Sequence, residues 1–174
     1  MSRAVGICVG AVTLSAAENF QGGISYHRVP HDGRVLEAID DFLSTRQGAR
    51  VGITGQKFRD SAPYATVAEP EAVESAFRHI RHRYRDIDTI VSGGAETLLA
   101  YSLDRSGHIS AVHSQSKCAA GTGEFFLQQV RRMGFTVEEA VRHARGEEPY
   151  PVASRCSVFC KRDCTHALNK GVDR

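Results

Sequence analysis

The sequence predicts an α/β lobe, a mixed sheet flanked by helices. Three observations carry that expectation. The first thirty residues hold three short runs with strand periodicity, broken by glycine turns. Helix-period and strand-period segments then alternate through the middle of the chain. Finally, the C-terminal third is helical, its segments punctuated by glycines.

Taken in order, Arg3 to Val9, a turn at Gly10-Ala11, and Val12 to Glu18 read as two paired strands. Gly22 to Val29 reads as a third, with Ile24, Tyr26 and Arg28 alternating with smaller residues. Gly33 to Arg46 reads as a helix whose apolar stripe is Val35, Leu36, Ile39, Phe42 and Leu43, stopped by Gly48. Arg50 to Thr54 is a short strand and Gln56 to Ala68 a loop. Pro70 suits a first helical turn, so Glu71 to Tyr84 is a helix with Val73, Phe77 and Ile80 inward. Asp88 to Ser92 is expected to be a buried strand ending at Gly93-Gly94. Thr97 to Asp104 and His108 to His113 pair across Arg105-Ser106-Gly107. A helix over Phe125 to Met133 is stopped by Gly134, and Thr136 with Glu139 forms a capping box for the next, to about Ala144. The last helix opens at Ser154-Arg155-Cys156-Ser157 and runs to Lys170, with Gly171 as its stop.

With 174 residues the chain has room for one domain with a real core, or for two small lobes. The net charge of +2 is too small to argue for nucleic acid, and no apolar run is long enough to span a membrane. At the N-terminus, Gly6, Gly10 and Thr13 interrupt the apolar run, which favours strands over a secretory leader. The odd set Cys8, Cys118, Cys156, Cys160 and Cys164 does not suit a disulfide framework, so a reducing, cytoplasmic setting with metal or redox chemistry is expected.

The chain is organised around Ser116 to Glu124, a small-residue run with Cys118 inside it that opens onto a helix. Helix N-termini offer unpaired N–H groups and partial positive charge, and glycines let a bulky anion approach the backbone. Cys156 follows 38 residues later, also at a helix start. Two thiols so placed can converge on one ion or cluster, because helix starts favour the thiolate. An iron–sulfur cluster takes four ligands, and a two-fold dimer would supply the other pair. The alternative is two unrelated buried cysteines and a loop that merely packs tightly. Cys156, Cys160 and Cys164 share an arc of roughly 80° on a helix, but rise about 12 Å from first to last, too far for one small ion. Cys160 and Cys164 are therefore expected to face the core, with a zinc site including His166 as the lesser reading. Gly93-Gly94 after a strand is a weak phosphate-loop signal, equal to that of a plain turn. Gly6 to Thr13 has Cys8 where an acid would help to hold a metal, and only Thr13 and Ser15 as hydroxyls, so its residues read as a structural hairpin. His79 and His82 among Arg78, Arg81 and Arg83 form a solvated basic face.

Lys117-Cys118-Ala119-Ala120-Gly121-Thr122-Gly123 and Ser154-Arg155-Cys156-Ser157-Val158-Phe159 resemble the activator ATPases of 2-hydroxyacyl-CoA dehydratases and the ATPase subunits of benzoyl-CoA reductase, the BadF/BadG/BcrA/BcrD family. Thr54 to Arg59 and Ala68 to Glu74 look like its long, divergent members, and the resemblance covers nearly the whole chain. It implies a ribonuclease-H-like lobe of the sugar-kinase/heat-shock/actin ATPase superfamily over residues 1–174, the family's second lobe lying outside them. It implies ATP with Mg2+ at phosphate loops containing Gly93, Gly94, Gly121, Thr122, Gly123 and Thr13, with Glu96 as the catalytic acid placing Mg2+ or water. It further implies a homodimer sharing one [4Fe-4S] cluster through Cys118 and Cys156 of each subunit. An acyl-CoA dehydratase or reductase component would receive a low-potential electron from that cluster. Nucleic acid and membrane are not among the expected partners. The family's first loop carries an aspartate and hydroxyls where this chain has Cys8, Ala11 and Val12, and aspartates flank the glycines of its second loop where this chain has Val91 or Ser92 and Glu96. These departures motivate the competing expectation, a non-catalytic ATPase-like scaffold or interaction domain.

Overall fold

A computed structural model describes residues 2–55, 63–84, 86–115, 122–154 and 156–173. They divide into two compact units, residues 1–90 with 101–112, and residues 91–100 with 113–174. The first unit holds a five-stranded mixed sheet of β1 (Ala4–Val9), β2 (Thr13–Phe20), β3 (Gly23–Pro30), β4 (Arg50–Thr54) and β5 (Ala65–Thr66), in the order β3-β2-β1-β4-β5. β1 pairs antiparallel with β2, Ile7 opposite Ala16, and parallel with β4, Cys8 opposite Thr54. Between β2 and β3, Gln21 and Gly22 both take positive φ, 54° and 82°, as a tight hairpin turn with the twist of its strands requires.

Strand alternation puts Val5, Ile7, Val9, Leu14, Ala16 and Ile53 on one face of this sheet. α1 (Val35–Ser44) covers that face with Val35, Ile39 and Phe42. Glu18 is buried at the edge of this core and is neutralised by Arg3 at 3.0 Å and Arg46 at 2.9 Å. Its charge is compatible with burial only because both guanidinium groups reach it. The opposite face presents small residues, Gly6, Ala17 and Gly52 among them, and with Ala72, Ser75 and Ala76 of α2 (Glu69–Ile80) it lines an open cavity of about 790 Å³.

In β3, Ile24 and Tyr26 are exposed, Tyr26 at 75%, while His27 and Val29 turn inward, because the register with β2 sets the phase of the strand. Three expectations are corrected. Leu36 and Ile80 are exposed at the margins of their helical stripes. β6 (Thr89–Gly93) is not buried: it is an edge strand of a second sheet, order β6-β7-β8, and Val91 is 64% exposed. The expected loop before α2 contains β5, a two-residue parallel bridge to β4; Gln56 to Ala62 lie outside the described residues.

β7 (Leu98–Leu103) buries Leu99, Tyr101 and Leu103, and β8 (Ile109–Ser114) follows a turn closed by Asp104 N–H to His108 O at 2.8 Å. The Asp104 carboxylate accepts from Ser106 N–H, Ser106 Oγ and His108 N–H, which pulls its pKa down to about 2. Arg81, read as part of a solvated basic face, donates to the carbonyls of Arg105 and Ser106 in this turn.

In the second unit, α3 (Thr122–Arg132) ends at Gly134, φ 82°, with Phe135 N–H donating to Val130 O and Gly134 N–H to Arg131 O. These two hydrogen bonds satisfy carbonyls of the last helical turn, and the left-handed residue they require is why a glycine stands there. α4 (Val137–His143) opens with the expected capping box, Glu139 N–H to Thr136 Oγ1 at 3.2 Å and Thr136 N–H to Glu139 Oε2 at 2.8 Å. α5 (Ser157–Asn169) begins three residues later than Ser154, with Cys156 as its N-cap.

Candidate functional site

The first hairpin is built by three chain segments of the first unit. Gly10 N–H donates to Thr13 O at 3.0 Å, closing the turn between β1 and β2. His31, 4% exposed, braces it from beyond β3: its Nε2 meets Gly10 O at 3.1 Å, its Nδ1 accepts from Gly33 N–H at 3.1 Å, and its N–H donates to Val12 O at 3.2 Å. Because Nδ1 accepts, the ring proton sits on Nε2 and is donated to Gly10. Gly55, φ 128°, passes so close to Val9 that a Cβ there would lie 3.1 Å from Val9 N and C. Thr13, the expected phosphate ligand, starts β2, half-buried.

Cys8 lies on the sheet face away from α1, and burial followed by the charge of Glu69 raises its thiol pKa. Glu69 opens α2 and accepts from the hydroxyl of Tyr101 at 3.2 Å. Tyr101 is fully buried, and burial with the neighbouring carboxylate pushes its pKa up to about 12. The hydroxyl of Thr54, beside Cys8 in register, is buried without a hydrogen-bond partner among the described residues. This oxygen set suits a hard cation such as Mg2+, whereas the thiol does not. Sequence reasoning missed Glu69, Tyr101 and His31. The only local signals were a glutamate at a helix start and a tyrosine in the inward phase of a strand.

In the second unit, the Gly93-Gly94 loop is a tight bend, with Gly94 N–H donating to Thr97 O at 2.7 Å. Glu96 is exposed within it. The start of α3 lies directly against this bend: Glu124 N–H donates to Ala95 O at 3.0 Å, and a Cβ at Gly123 would sit 2.6 Å from Gly94 O. Gly123 therefore serves a close backbone approach. α3 in turn packs on α5. Gly121 and Cys118 lie outside the described residues, and Thr122 is described only by its backbone.

Cys156 is half-buried, and its extended backbone (φ −135°, ψ 118°) heads a 13-residue helix without its side chain capping it. The Cys156 side chain therefore stands at the helix head without being spent as its cap. Ala153 N–H donates to Asp163 Oδ2 at 3.1 Å and fastens the approach to the helix. Cys160 and Cys164 are half-buried, and the Cys160 thiol is raised first by burial, then by Cys164. Among the described residues no group of three or more His, Cys, Asp or Glu is arranged to hold a metal, so the zinc reading through Cys156, Cys160, Cys164 and His166 is not supported. No helix among the described residues is long and apolar enough to cross a membrane.

No family model matches the chain. The activator of 2-hydroxyisocaproyl-CoA dehydratase from Clostridium difficile with bound ADPNP superposes with a TM-score of 0.76 at 17% identity, covering 97% of this chain and 66% of that one. Component A of (R)-2-hydroxyglutaryl-CoA dehydratase from Acidaminococcus fermentans gives 0.78 at 20% identity, covering 100% and 71%. The fold is accordingly the one these two solved proteins share. In sequence, the activator of lactoyl-CoA dehydratase from Anaerotignum propionicum is 33% identical over 87 residues. That match spans 49% of this chain and only 34% of the relative's length. In fold, and in about half of its sequence, the chain is similar to activators of acyl-CoA dehydratases.

Proposed function

We propose that the protein acts as an ATP-dependent activase that passes a low-potential electron to an acyl-CoA dehydratase or reductase component. The observation that carries this reading is the continuous path from the Gly93-Gly94 bend, through the backbone contact at Gly123 and Glu124, along α3 and across to α5, which Cys156 heads. A phosphate loop in rigid contact with α3 can shift that helix, and α3 can pass the shift to α5. Cys118 and Cys156 of two copies would hold one [4Fe-4S] cluster, which supplies a one-electron store when bound. Glu96 would place Mg2+ or water, and residues 1–174 would contribute a single ATPase-like lobe working in the cytoplasm.

The chain's own residues do the rest. Cys156 stands at the head of α5 without capping it, and the bond from Ala153 N–H to Asp163 fastens the approach to the helix. Anaerobic purification with iron and sulfide analysis tests the proposal. The expected result is about four iron per dimer, lost in Cys156→Ser and retained in Cys164→Ser. A wild-type protein that stays free of iron after anaerobic reconstitution refutes it. A second reading, a scaffold without nucleotide chemistry, is favoured by Cys8 standing at the first hairpin in place of an acid. Mg-ATP binding measured by calorimetry separates the two, since a scaffold gives no heat.

A further inference from the structure

The objection that Cys8 raises to nucleotide chemistry is met by the fold itself. Mg2+ is a hard cation that binds oxygen and keeps several waters, usually through one or two carboxylates plus substrate phosphates. A thiol is a poor substitute, and Cys8 holds its proton more firmly than an ordinary cysteine because it is partly buried near a carboxylate. That carboxylate belongs to Glu69, which no sequence motif connects to the hairpin. Three features show that it is placed rather than incidental. Tyr101, fully buried, spends its hydroxyl on Glu69 Oε1 at 3.2 Å. Glu69 stands at the first position of α2, where the helix start favours a negative side chain. Thr54, paired with Cys8 across β1 and β4, carries a buried hydroxyl with no partner among the described residues. An unused buried hydroxyl is expensive to leave unmade, and a water from a hydrated cation would satisfy it.

We infer that Glu69 is the carboxylate of the first phosphate loop: it holds, through water, the Mg2+ of a bound nucleotide at the end of β1, in place of an acid at Cys8. Tyr101 is its positioning residue, and Thr54 offers a second oxygen to the same water shell. This rests on the nucleotide-binding reading proposed above, and the test separates the two. ATP affinity is measured by calorimetry with Mg2+ and with EDTA, for wild type, Glu69→Gln, and Glu69→Gln combined with Cys8→Asp. Mn2+ serves as a paramagnetic probe of the same site. Glutamine still accepts from Tyr101, so the fold is kept. In Glu69→Gln the gain in affinity from Mg2+ falls about tenfold, as loss of one charge-assisted contact predicts, while affinity in EDTA stays within about twofold. The added aspartate restores the Mg2+ gain, because it returns an oxygen ligand to the same end of the strand. A Mg2+ gain unchanged in Glu69→Gln overturns the inference and leaves the nucleotide reading standing. A double variant as weak as the single one also overturns it. A wild-type chain that binds ATP neither with Mg2+ nor in EDTA removes both.

Discussion

Gly123→Ala strikes the contact through which the Gly93-Gly94 bend meets α3. The new methyl would lie 2.6 Å from Gly94 O, 3.0 Å from Ala95 Cα and 3.2 Å from Gly94 C, all backbone atoms that cannot swing aside. Ordinary contact begins at 3.4 Å, so the bend and the helix must separate by about 0.8 Å. That separation stretches the 3.0 Å bond from Glu124 N–H to Ala95 O beyond useful length. Overpacking of this kind destabilises by about 1–3 kcal/mol and the lost hydrogen bond by about 1 kcal/mol. Against this, alanine gains about 0.5–1 kcal/mol over glycine in a helix. The balance is a net loss of about 1–3 kcal/mol. Urea denaturation followed by circular dichroism reads the stability, and amide hydrogen exchange reads the Glu124 N–H directly. Gly52→Ala, where a methyl meets nothing within 4 Å, is the control and should be neutral or stabilising. If Gly123→Ala keeps the wild-type midpoint and full protection of the Glu124 amide, the close approach is not what holds the bend to α3.

Three further outcomes are expected. His31→Ala leaves Gly10 O and Gly33 N–H without partners in a buried place and should lower stability by about 2–4 kcal/mol in denaturant titration. Tyr101 should ionise at about 12 rather than 10, seen as the difference between wild type and Tyr101→Phe in an ultraviolet titration. Because the folded state keeps this proton longer than the unfolded chain does, the associated stability is complete below pH 10 and falls away as pH rises toward 12. Asp104 has the opposite sign: its carboxyl is lowered from 3.8 to about 2, so its support of the β7–β8 turn is full above pH 4 and disappears as pH falls through about 2. A carbon-detected NMR titration of the Asp104 carboxyl, compared with chemical shifts in the turn, measures this directly.

Much of the fold was legible in the residues because the relevant physics is local. Alternation announced β1 and β2, the stripe Val35, Ile39 and Phe42 announced α1, and Thr136 with Glu139 announced the start of α4. Gly134 and Gly171 stop helices where expected, since a left-handed residue is needed after the last turn whatever the helix packs against. Phase was less legible. The alternation of Ile24, Tyr26 and Arg28 marks β3 as a strand without fixing which side is buried, and pairing with β2 turns His27 and Val29 to the core. Val91 looks buried, yet its strand lies at a sheet edge.

What the sequence alone determined is the class of the lobe and the two cysteine motifs, because periodicity, caps and short spacings are written within a few residues of one another. What only the tertiary structure decided is which distant groups meet. Glu69 and Tyr101 come together from a helix start and a strand, His31 reaches back to Gly10 from beyond β3, and Gly123 stands against Gly94 across a sheet connection. Such encounters depend on the register and packing of whole elements, and no residue involved carries a local mark of its partner.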